Sequence, residues 1–266
     1  MKRVLTAVVA LLLAATGCSS SPKSGGSSDA ITNAPTGSTE PRPSGSITVD
    51  AAASLTEAFD TLIGQFQTAN PGTKVTVKYG ASSDLSTQIS QGDAVDVFAS
   101  ASKKNMDAVV KSGDAGPPTN FVSNTLEIAV PPGNPAKITK LADLAKPGVK
   151  VAVCAPAVPC GVVAAKVFAN AKLKVTPAAN EQDVKSTLAV VQSGEVDAGL
   201  VYVTDVRSAG AKVKGIVIPA GVNASTTYPI ATLKNSKNAA LAQAFVTFVR
   251  SPAGQKVLTA DGFSRP

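Results

Sequence analysis

Serine and other small residues stand at several points where a strand pattern gives way to a helix pattern, and these junctions could bind an anion. Ser54 follows such a strand and precedes apolar residues at helical spacing, from Leu55 to Phe66. Serine there is a good N-cap, so the junction predicts a helix start even without any function. It also offers a hydroxyl and unpaired N–H groups at the positive end of a helix dipole, where anions bind.

Three more turns of this kind follow, and their number makes the anion interpretation stronger. Residues 80–84 (GASSD) and 155–161 (APAVPCG) each precede a helix pattern. Residues 180–184 (NEQDV) open the fourth helix, with Asn180 as the expected cap and Asp183 as the expected third helical residue.

Two further hydroxyls stand near these turns. Ser82 lies in the second turn, and Tyr202 lies towards the end of the strand predicted over residues 197–203. A tyrosine at a strand end is often a half-buried ring with its hydroxyl in water. If that end faces a cleft, the same hydroxyl is a neutral donor for an anion.

Composition excludes several classes of function. The 266 residues include no histidine, which removes Ser-His-Asp and Cys-His catalysis and most zinc sites. Aromatic residues are 4% of the chain and tryptophan is absent, so no stacking surface for single-stranded nucleic acid is expected. The net charge of +7 comes from scattered lysines, which predicts a basic soluble surface and no nucleic-acid partner. We therefore expect neither an enzyme nor a cofactor.

The two cysteines of the chain's body lie close together, at Cys154 and Cys160. In an exported chain such a pair most simply forms a disulfide. A metal site is the weaker interpretation, because two thiols without histidine leave half of the ligand shell empty. A redox-active pair is a further alternative, although the spacing is not C-x-x-C. We expect a disulfide that rigidifies the third turn.

The amino-terminal segment predicts export. Lys2 and Arg3 precede an apolar run over residues 4–15, and small residues lead to Cys18. Residues 1–18 resemble a bacterial lipoprotein signal, in which Cys18 is acylated; the alternative is an ordinary signal peptide with an incidental cysteine. Residues 19–45, rich in serine, glycine and proline, predict a disordered tether. The expected location is the outer face of the cytoplasmic membrane, with lipid anchoring.

Strands alternate with helices throughout the body, which indicates an α/β fold with mostly parallel sheets and helices on both faces. Ligands of such folds bind beyond the carboxyl ends of the strands, so the four turns are expected to converge there. They supply donors without a charged base, which suits a small anion that has no proton to give. A hydrolase would require a nucleophile, a base and an orienting group, and these are missing.

Four stretches carry a resemblance to a known family: AAASLTEAF, YGASSDLSTQI, DVFASAS and DVKSTLAVVQSGEVDAGLVYVTDV. In this order and spacing they resemble the periplasmic molybdate-binding proteins of ABC importers, over residues 46–266. The resemblance implies a two-lobed type II periplasmic-binding-protein fold with hinge crossovers, each lobe a mixed, mostly parallel sheet flanked by helices. It places lobe I at residues 46–126 and 229–266, and lobe II at residues 127–228.

The same resemblance implies the ligand and its partners. A tetrahedral oxyanion, molybdate or tungstate, would be bound by uncharged donors alone, and no cation site is implied. The implied donors are the hydroxyls and N–H groups of Ser54 and Ser82, the hydroxyl of Tyr202, and the N–H groups of Cys160 and Val184. Cys160 is a departure, since the family often has alanine there.

A membrane permease is the implied protein partner of a monomeric binding protein. Sulfate is the alternative ligand, because charge alone does not separate it from molybdate. Phosphate is disfavoured because its proton needs a buried acceptor. Two other classes stay open at this point: a thiol oxidoreductase that uses Cys154 and Cys160, and a purely structural lipoprotein.

Overall fold

The computed structural model describes residues 43–266. The predicted signal segment, the acylated Cys18 and the tether up to residue 42 lie outside the described residues. The first strand begins at Gly45, so the folded body starts one residue earlier than predicted.

Strands and helices alternate along most of the described chain. The strands are β1 Gly45–Ala52, β2 Thr73–Gly80, β3 Val97–Ala99, β4 Thr119–Val130, β5 Val151–Cys154, β6 Ala179–Glu181, β7 Ala198–Tyr202, β8 Lys214–Val217 and β9 Ser225–Thr232. The helices are α1 Thr56–Ala69, α2 Ser82–Ser90, α3 Lys103–Lys111, α4 Pro159–Asn170, α5 Val184–Gln192, α6 Val203–Ala209, α7 Ala239–Arg250 and α8 Pro252–Asp261. Short 3₁₀ turns cover Ala53–Leu55, Leu141–Ala145 and Gly210–Lys212.

The strands form two mixed sheets that share β4. In the first sheet β1 pairs in parallel with β2 and β3, and β9 joins β3 to the first part of β4. In the second sheet β5 pairs in parallel with β6 and β7, while β7 and β8 flank the second part of β4. Every antiparallel pairing among the described strands involves β4 or β9, so the mixed character comes from these two strands.

Strand β4 passes from one sheet into the other. Its residues Thr119–Thr125 pair with β9, and from Leu126 onwards it pairs with β7. The register between β4 and β9 shifts between Asn120 and Val122.

Each sheet has its own hydrophobic core, and the two differ in composition. The first sheet packs against α1 and α7 through phenylalanines, and Phe66 meets Phe245 edge to face at a centroid distance of 5.3 Å. Valine, leucine and isoleucine make most of the second core, between the second sheet and helices α4 and α5. Both cores hold the carboxyl ends of the parallel strands in place, and the candidate site lies at those ends.

Candidate functional site

One small cavity lies where the parallel strands of both sheets end. Its volume is about 10 Å³, which is room for roughly one water-sized group. Pockets that take drug-sized organic ligands are far larger, about 300 to 1,000 Å³, so this cavity suits a ligand of a few atoms. The lining residues from the first sheet's side are Ala52, Ala53, Ser54, Gly80, Ala81, Ser82 and Ala101, and those from the second are Val158, Pro159, Cys160, Asp183, Val184 and Tyr202.

All five residues that the sequence singled out line this one cavity: Ser54, Ser82, Cys160, Val184 and Tyr202. Each is buried, with no more than 4% of its surface exposed. They come together because the carboxyl ends of parallel strands meet at one edge of a sheet. Their role as anion donors stays a prediction.

Ser54 is not the N-cap that its sequence position predicted. It lies inside the 3₁₀ turn Ala53–Leu55, and that turn is preceded by Ala52 without any side-chain cap. The Ser54 hydroxyl instead lies 2.8 Å from the hydroxyl of Tyr228 on β9. The cap prediction failed because this long-range partner holds the serine side chain beside the cavity.

Ser82 is the first residue of α2, and its hydroxyl also has a distant partner. The backbone N–H of Ala101, which follows β3, donates to Ser82 Oγ at 2.9 Å. An N–H group only donates, so Ser82 must accept in this bond, and its own proton is left for another acceptor. The first N–H groups of α2 have no carbonyl partner within the helix. Ser82 therefore presents donors to the cavity.

A disulfide underlies the third turn. Cys154, at the end of β5, is bonded to Cys160 in the first turn of α4, with a Cα–Cα distance of 5.7 Å. The next residue is Gly161, where an added Cβ would overlap the carbonyl oxygen of Ala155. The helix start thus packs directly on the turn, and its backbone N–H groups are held beside the cavity.

The fourth turn is capped differently from the prediction. Asp183 is the N-cap of α5, and its carboxylate accepts from the N–H of Ser186 at 2.8 Å. Asn180, the predicted cap, is still extended and pairs with Val153 in the sheet. The helix therefore begins at Val184, whose N–H has no carbonyl partner within the helix.

Tyr202 ends β7 and begins a helix that the sequence reading missed. Helix α6 starts at Val203, and Asp205 accepts from the backbone N–H of Tyr202 at 3.1 Å. The signal was present, since an acidic residue in the first turn is typical of a helix start. The Tyr202 hydroxyl is fully buried and has no hydrogen-bond partner within residues 43–266. Burial raises the pKa of Tyr202 well above its usual value, so the hydroxyl keeps its proton.

No lysine or arginine belongs to the described lining of the cavity. Lys185, one residue beyond Val184, points into an ion-pair cluster, with Nζ 2.7 Å from Glu57 on α1 and 3.1 Å from Asp205. Burial raises the pKa of Asp205 to about 6, against the opposing effect of Lys185. The carboxylates therefore neutralise this cation, and they tie α1 to the helices of the second sheet.

Across residues 43–266, no group of three or more histidine, cysteine, aspartate or glutamate side chains is placed to hold a metal ion. What the cavity offers is a set of buried hydroxyl and backbone donors from both sheets, and one of these hydroxyls has no partner among the described residues. Such a site can bind a small acceptor.

Comparison with known proteins gives the family. A model of bacterial extracellular solute-binding proteins matches residues 47–264. The chain belongs to that family. This solute-binding protein is 43% identical, over 83% of its length and 85% of the relative, to the molybdate-binding protein ModA of Mycobacterium tuberculosis.

Two solved structures share the fold. One is the substrate-binding domain of a molybdenum ABC transporter from Clostridium difficile, with 32% identity, a TM-score of 0.64, and coverage of 83% and 99% of the two chains. The other is the periplasmic molybdate-binding protein of Azotobacter vinelandii, with 22% identity, a TM-score of 0.74 and the same coverage. The predicted type II periplasmic-binding-protein fold is confirmed.

The family settles the broad function. The chain is an extracytoplasmic solute-binding protein of an ABC importer and not an enzyme, as the sequence predicted. The alternatives of a thiol oxidoreductase and a purely structural lipoprotein are therefore set aside. Within residues 43–266, no helix has the length and apolar character needed to cross a membrane.

Proposed function

We propose that this solute-binding protein captures molybdate, and also tungstate, in the cavity between its two sheets and delivers it to the permease of an ABC importer. The main observation in support is that buried donors from both sheets line the cavity, and that the described lining contains no lysine or arginine. A fully deprotonated oxyanion can accept hydrogen bonds from every side and has no proton that would need an acceptor. The donor set matches that requirement.

Five groups are proposed as ligands of the anion. They are the hydroxyls and N–H groups of Ser54 and Ser82, the N–H groups of Cys160 and Val184, and the hydroxyl of Tyr202. The Tyr202 hydroxyl gives the strongest support, because a buried donor without a partner costs about 1 to 3 kcal/mol. An anion oxygen in the cavity would supply the missing acceptor.

Electrostatic stabilisation comes from dipoles in this proposal. Helices α2, α4 and α5 begin at the cavity, with Ser82, Cys160 and Val184 in their first turns. Each helix start carries a partial positive charge and unpaired N–H groups. The one carboxylate in the lining, Asp183, caps α5 by accepting from the N–H of Ser186 through Oδ1.

The names of the relatives agree with this ligand. The Mycobacterium tuberculosis relative is described as a molybdate-binding protein, and so is the Azotobacter vinelandii structure. Sulfate is the second candidate, because it is also a tetrahedral dianion without a proton. It is smaller than molybdate, so the radius of the cavity is expected to decide between them.

The predicted lobes and anchor complete the proposal. We assign lobe I to residues 46–126 and 229–266 and lobe II to residues 127–228; β4 changes its pairing partner at that first boundary. The lobes are expected to close on the anion by a hinge. A lipid on Cys18 and a flexible tether would hold the monomeric protein at the outer face of the cytoplasmic membrane, near the permease.

Titration calorimetry of the folded body with molybdate, tungstate, sulfate and phosphate tests the ligand. We expect 1:1 binding of molybdate and tungstate, much weaker binding of sulfate, and weaker binding still of phosphate. Ligand binding should also raise the melting temperature by mass action. Heat from sulfate alone would overturn the assignment and leave sulfate as the ligand.

Metabolic labelling with a radioactive fatty acid tests the anchor. The full-length chain should incorporate the label in a bacterial host, and Cys18→Ser should not. An unlabelled full-length protein would refute the lipid anchor without affecting the proposal for the ligand.

A further inference from the structure

A serine that binds an anion must point its proton at the anion. A hydroxyl can donate or accept, so its other partner decides which of the two it does. For Ser82 the direction of the hydrogen bond is fixed, because the N–H of Ala101 can only donate to the Ser82 oxygen. Ser54 differs, because its partner is the hydroxyl of Tyr228, and either oxygen could be the donor.

The surroundings of Tyr228 decide the direction of that bond. Asn124 accepts from the N–H of Thr125 through Oδ1, at 3.0 Å, so its Nδ2 faces the opposite way. That NH₂ group donates to Thr204 Oγ1 at 3.0 Å and has a second hydrogen available. Burial raises the pKa of Tyr228, while the hydroxyls of Ser54 and Tyr202 and the Asn124 amide act against that rise. All three groups can donate to the phenolic oxygen, but within residues 43–266 only Ser54 Oγ lies at hydrogen-bond distance as an acceptor for the Tyr228 proton.

The strand register places Asn124 and Tyr228 side by side. Asn124 on β4 is opposite Thr226 on β9, and Tyr228 is opposite Val122, so the two are diagonal neighbours on one face of the strand pair. Asn124 is 3% exposed and Tyr228 is completely buried, so water does not replace either partner. The Asn124 amide, the Tyr228 hydroxyl and the Ser54 hydroxyl thus follow one another, and the last of them lies beside the cavity.

We propose that Asn124 and Tyr228 are positioning residues that make Ser54 a hydrogen-bond donor towards the cavity. Asn124 N–H donates to the Tyr228 oxygen, Tyr228 O–H donates to Ser54 Oγ, and the Ser54 proton is then directed at the ligand. This inference rests on the proposed function, because it assumes an anion beside Ser54. It adds a reason for selectivity: with both serines fixed as donors, neither of them can accept the proton of a singly protonated anion.

The test compares Tyr228→Phe with Tyr79→Phe as a matched control. Tyr79 also donates from a hydroxyl, to Asp60 at 2.7 Å, but it lies outside the lining of the cavity. We expect Tyr228→Phe to weaken molybdate binding about threefold to tenfold, the scale for one neutral hydrogen bond. Tyr79→Phe should leave the dissociation constant unchanged.

A double-mutant cycle separates positioning from general structural damage. If Tyr228 acts through Ser54, the Tyr228→Phe change should have almost no effect on affinity in a Ser54→Ala background. Additive losses would overturn the proposal, and so would an unchanged dissociation constant for Tyr228→Phe. Should Tyr228→Phe fail to fold, Asn124→Ala serves in the same cycle, with a loss of about twofold to fivefold expected only when the Ser54 hydroxyl is present.

Phosphate provides a second readout that a structural role would not change. In Tyr228→Phe, Ser54 is free to accept a proton from phosphate, so the ratio of phosphate to molybdate dissociation constants should fall below that of the wild type. An unchanged or larger ratio would contradict the proposed direction of the chain. If the wild type binds no molybdate, the proposed function fails, and that result is distinct from a failure of the positioning role.

Discussion

The two sides of the cavity present their donors in different ways. On the first side the donors include the side-chain hydroxyls of Ser54 and Ser82, each held by one distant partner. On the second side Cys160 and Val184 can offer only backbone N–H groups, and Tyr202 supplies the one hydroxyl. A hydroxyl can be removed by one substitution, whereas a backbone donor can only be displaced by changing its scaffold. The two sides should therefore respond differently to mutation.

The two sides of the cavity are also stabilised by different interactions. The first side relies on a core rich in phenylalanine and on hydrogen bonds between distant residues. The second side relies on an aliphatic core and on a local covalent bond between Cys154 and Cys160. Local rigidity is useful where the donors belong to the backbone, because no side-chain rotation can correct a displaced N–H group.

The largest effect is expected from Gly161→Ala, which should break the second side. The added Cβ would lie 2.6 Å from the carbonyl oxygen of Cys154 and closer still to that of Ala155, so the start of α4 must shift. We expect stability to fall by about 1 to 3 kcal/mol, and molybdate affinity to fall further than in any variant that removes a single hydroxyl. Gly64→Ala on α1 is the control, because nothing lies within 4 Å of its added Cβ. Equal binding by both variants would contradict the role of the backbone.

The second largest loss of molybdate affinity is expected from Tyr202→Phe. Removing a donor to a charged ligand costs about 1.5 to 3 kcal/mol of binding free energy. The ligand-free protein should keep or gain stability, because the variant deletes a buried hydroxyl that has no partner in the described chain. Calorimetry and thermal unfolding measure the two quantities. A large loss of stability without ligand would show that the hydroxyl serves the fold instead.

Ser82→Ala tests the first side. We expect molybdate affinity to fall by roughly 1 to 3 kcal/mol, the scale for one hydrogen bond near a charged group. Unlike Tyr202→Phe, this variant should also lose stability without ligand, because the N–H of Ala101 is left without its acceptor. An unchanged dissociation constant would remove Ser82 from the proposed ligands.

Replacing both disulfide cysteines by alanine shows whether the disulfide only stabilises the fold or also determines molybdate affinity. Opening so small a ring should lower the free energy of unfolding by about 2 kcal/mol in the chain-entropy model. Molybdate affinity should fall by less, about tenfold at most, since the N–H of residue 160 is retained in alanine. Chemical denaturation and calorimetry on the same variant measure both effects. A loss of binding greater than that of Ser82→Ala would mean that the bridge fixes the site itself.

The smallest effect is expected from pH. Burial raises the pKa of Tyr202 and of Tyr228 above their usual range, so both hydroxyls stay protonated in alkaline solution. Asp205, one of the ionisable groups beside this region, has a pKa of about 6 and is already ionised above neutrality. Molybdate affinity should thus be constant from about pH 7 to about pH 9. A fall of affinity through this range would reveal a titrating ligand group on one of the two sides.

Much of the fold and of the site could be predicted because the signals are local. The alternation of strands and helices determines where parallel strands end, and the small residues after each strand mark the turns. The turns that hold Ser82, Cys160 and Val184 follow from that alternation, whereas Cys160 and Val184 were singled out by the resemblance to molybdate-binding proteins. The resemblance to molybdate-binding proteins then named the fold and the ligand class.

What could not be predicted depends on distant contacts. The partner of Ser54 is Tyr228, 174 positions away, and it decides that Ser54 faces the cavity and does not cap a helix. Lys185 meets Glu57 across 128 positions. The cap at Asp183 was misplaced because β6 continues through Asn180, and a three-residue strand leaves little pattern in a sequence.

Anomalous diffraction from crystals grown with tungstate tests the central claim most directly. We expect one strong anomalous peak inside the cavity, with oxygens at hydrogen-bond distance, about 2.7 to 3.2 Å, from donors on both sides. These donors would be Ser54, Ser82, Cys160, Val184 and Tyr202. A peak elsewhere, or an anion held by a lysine or arginine side chain, would contradict it.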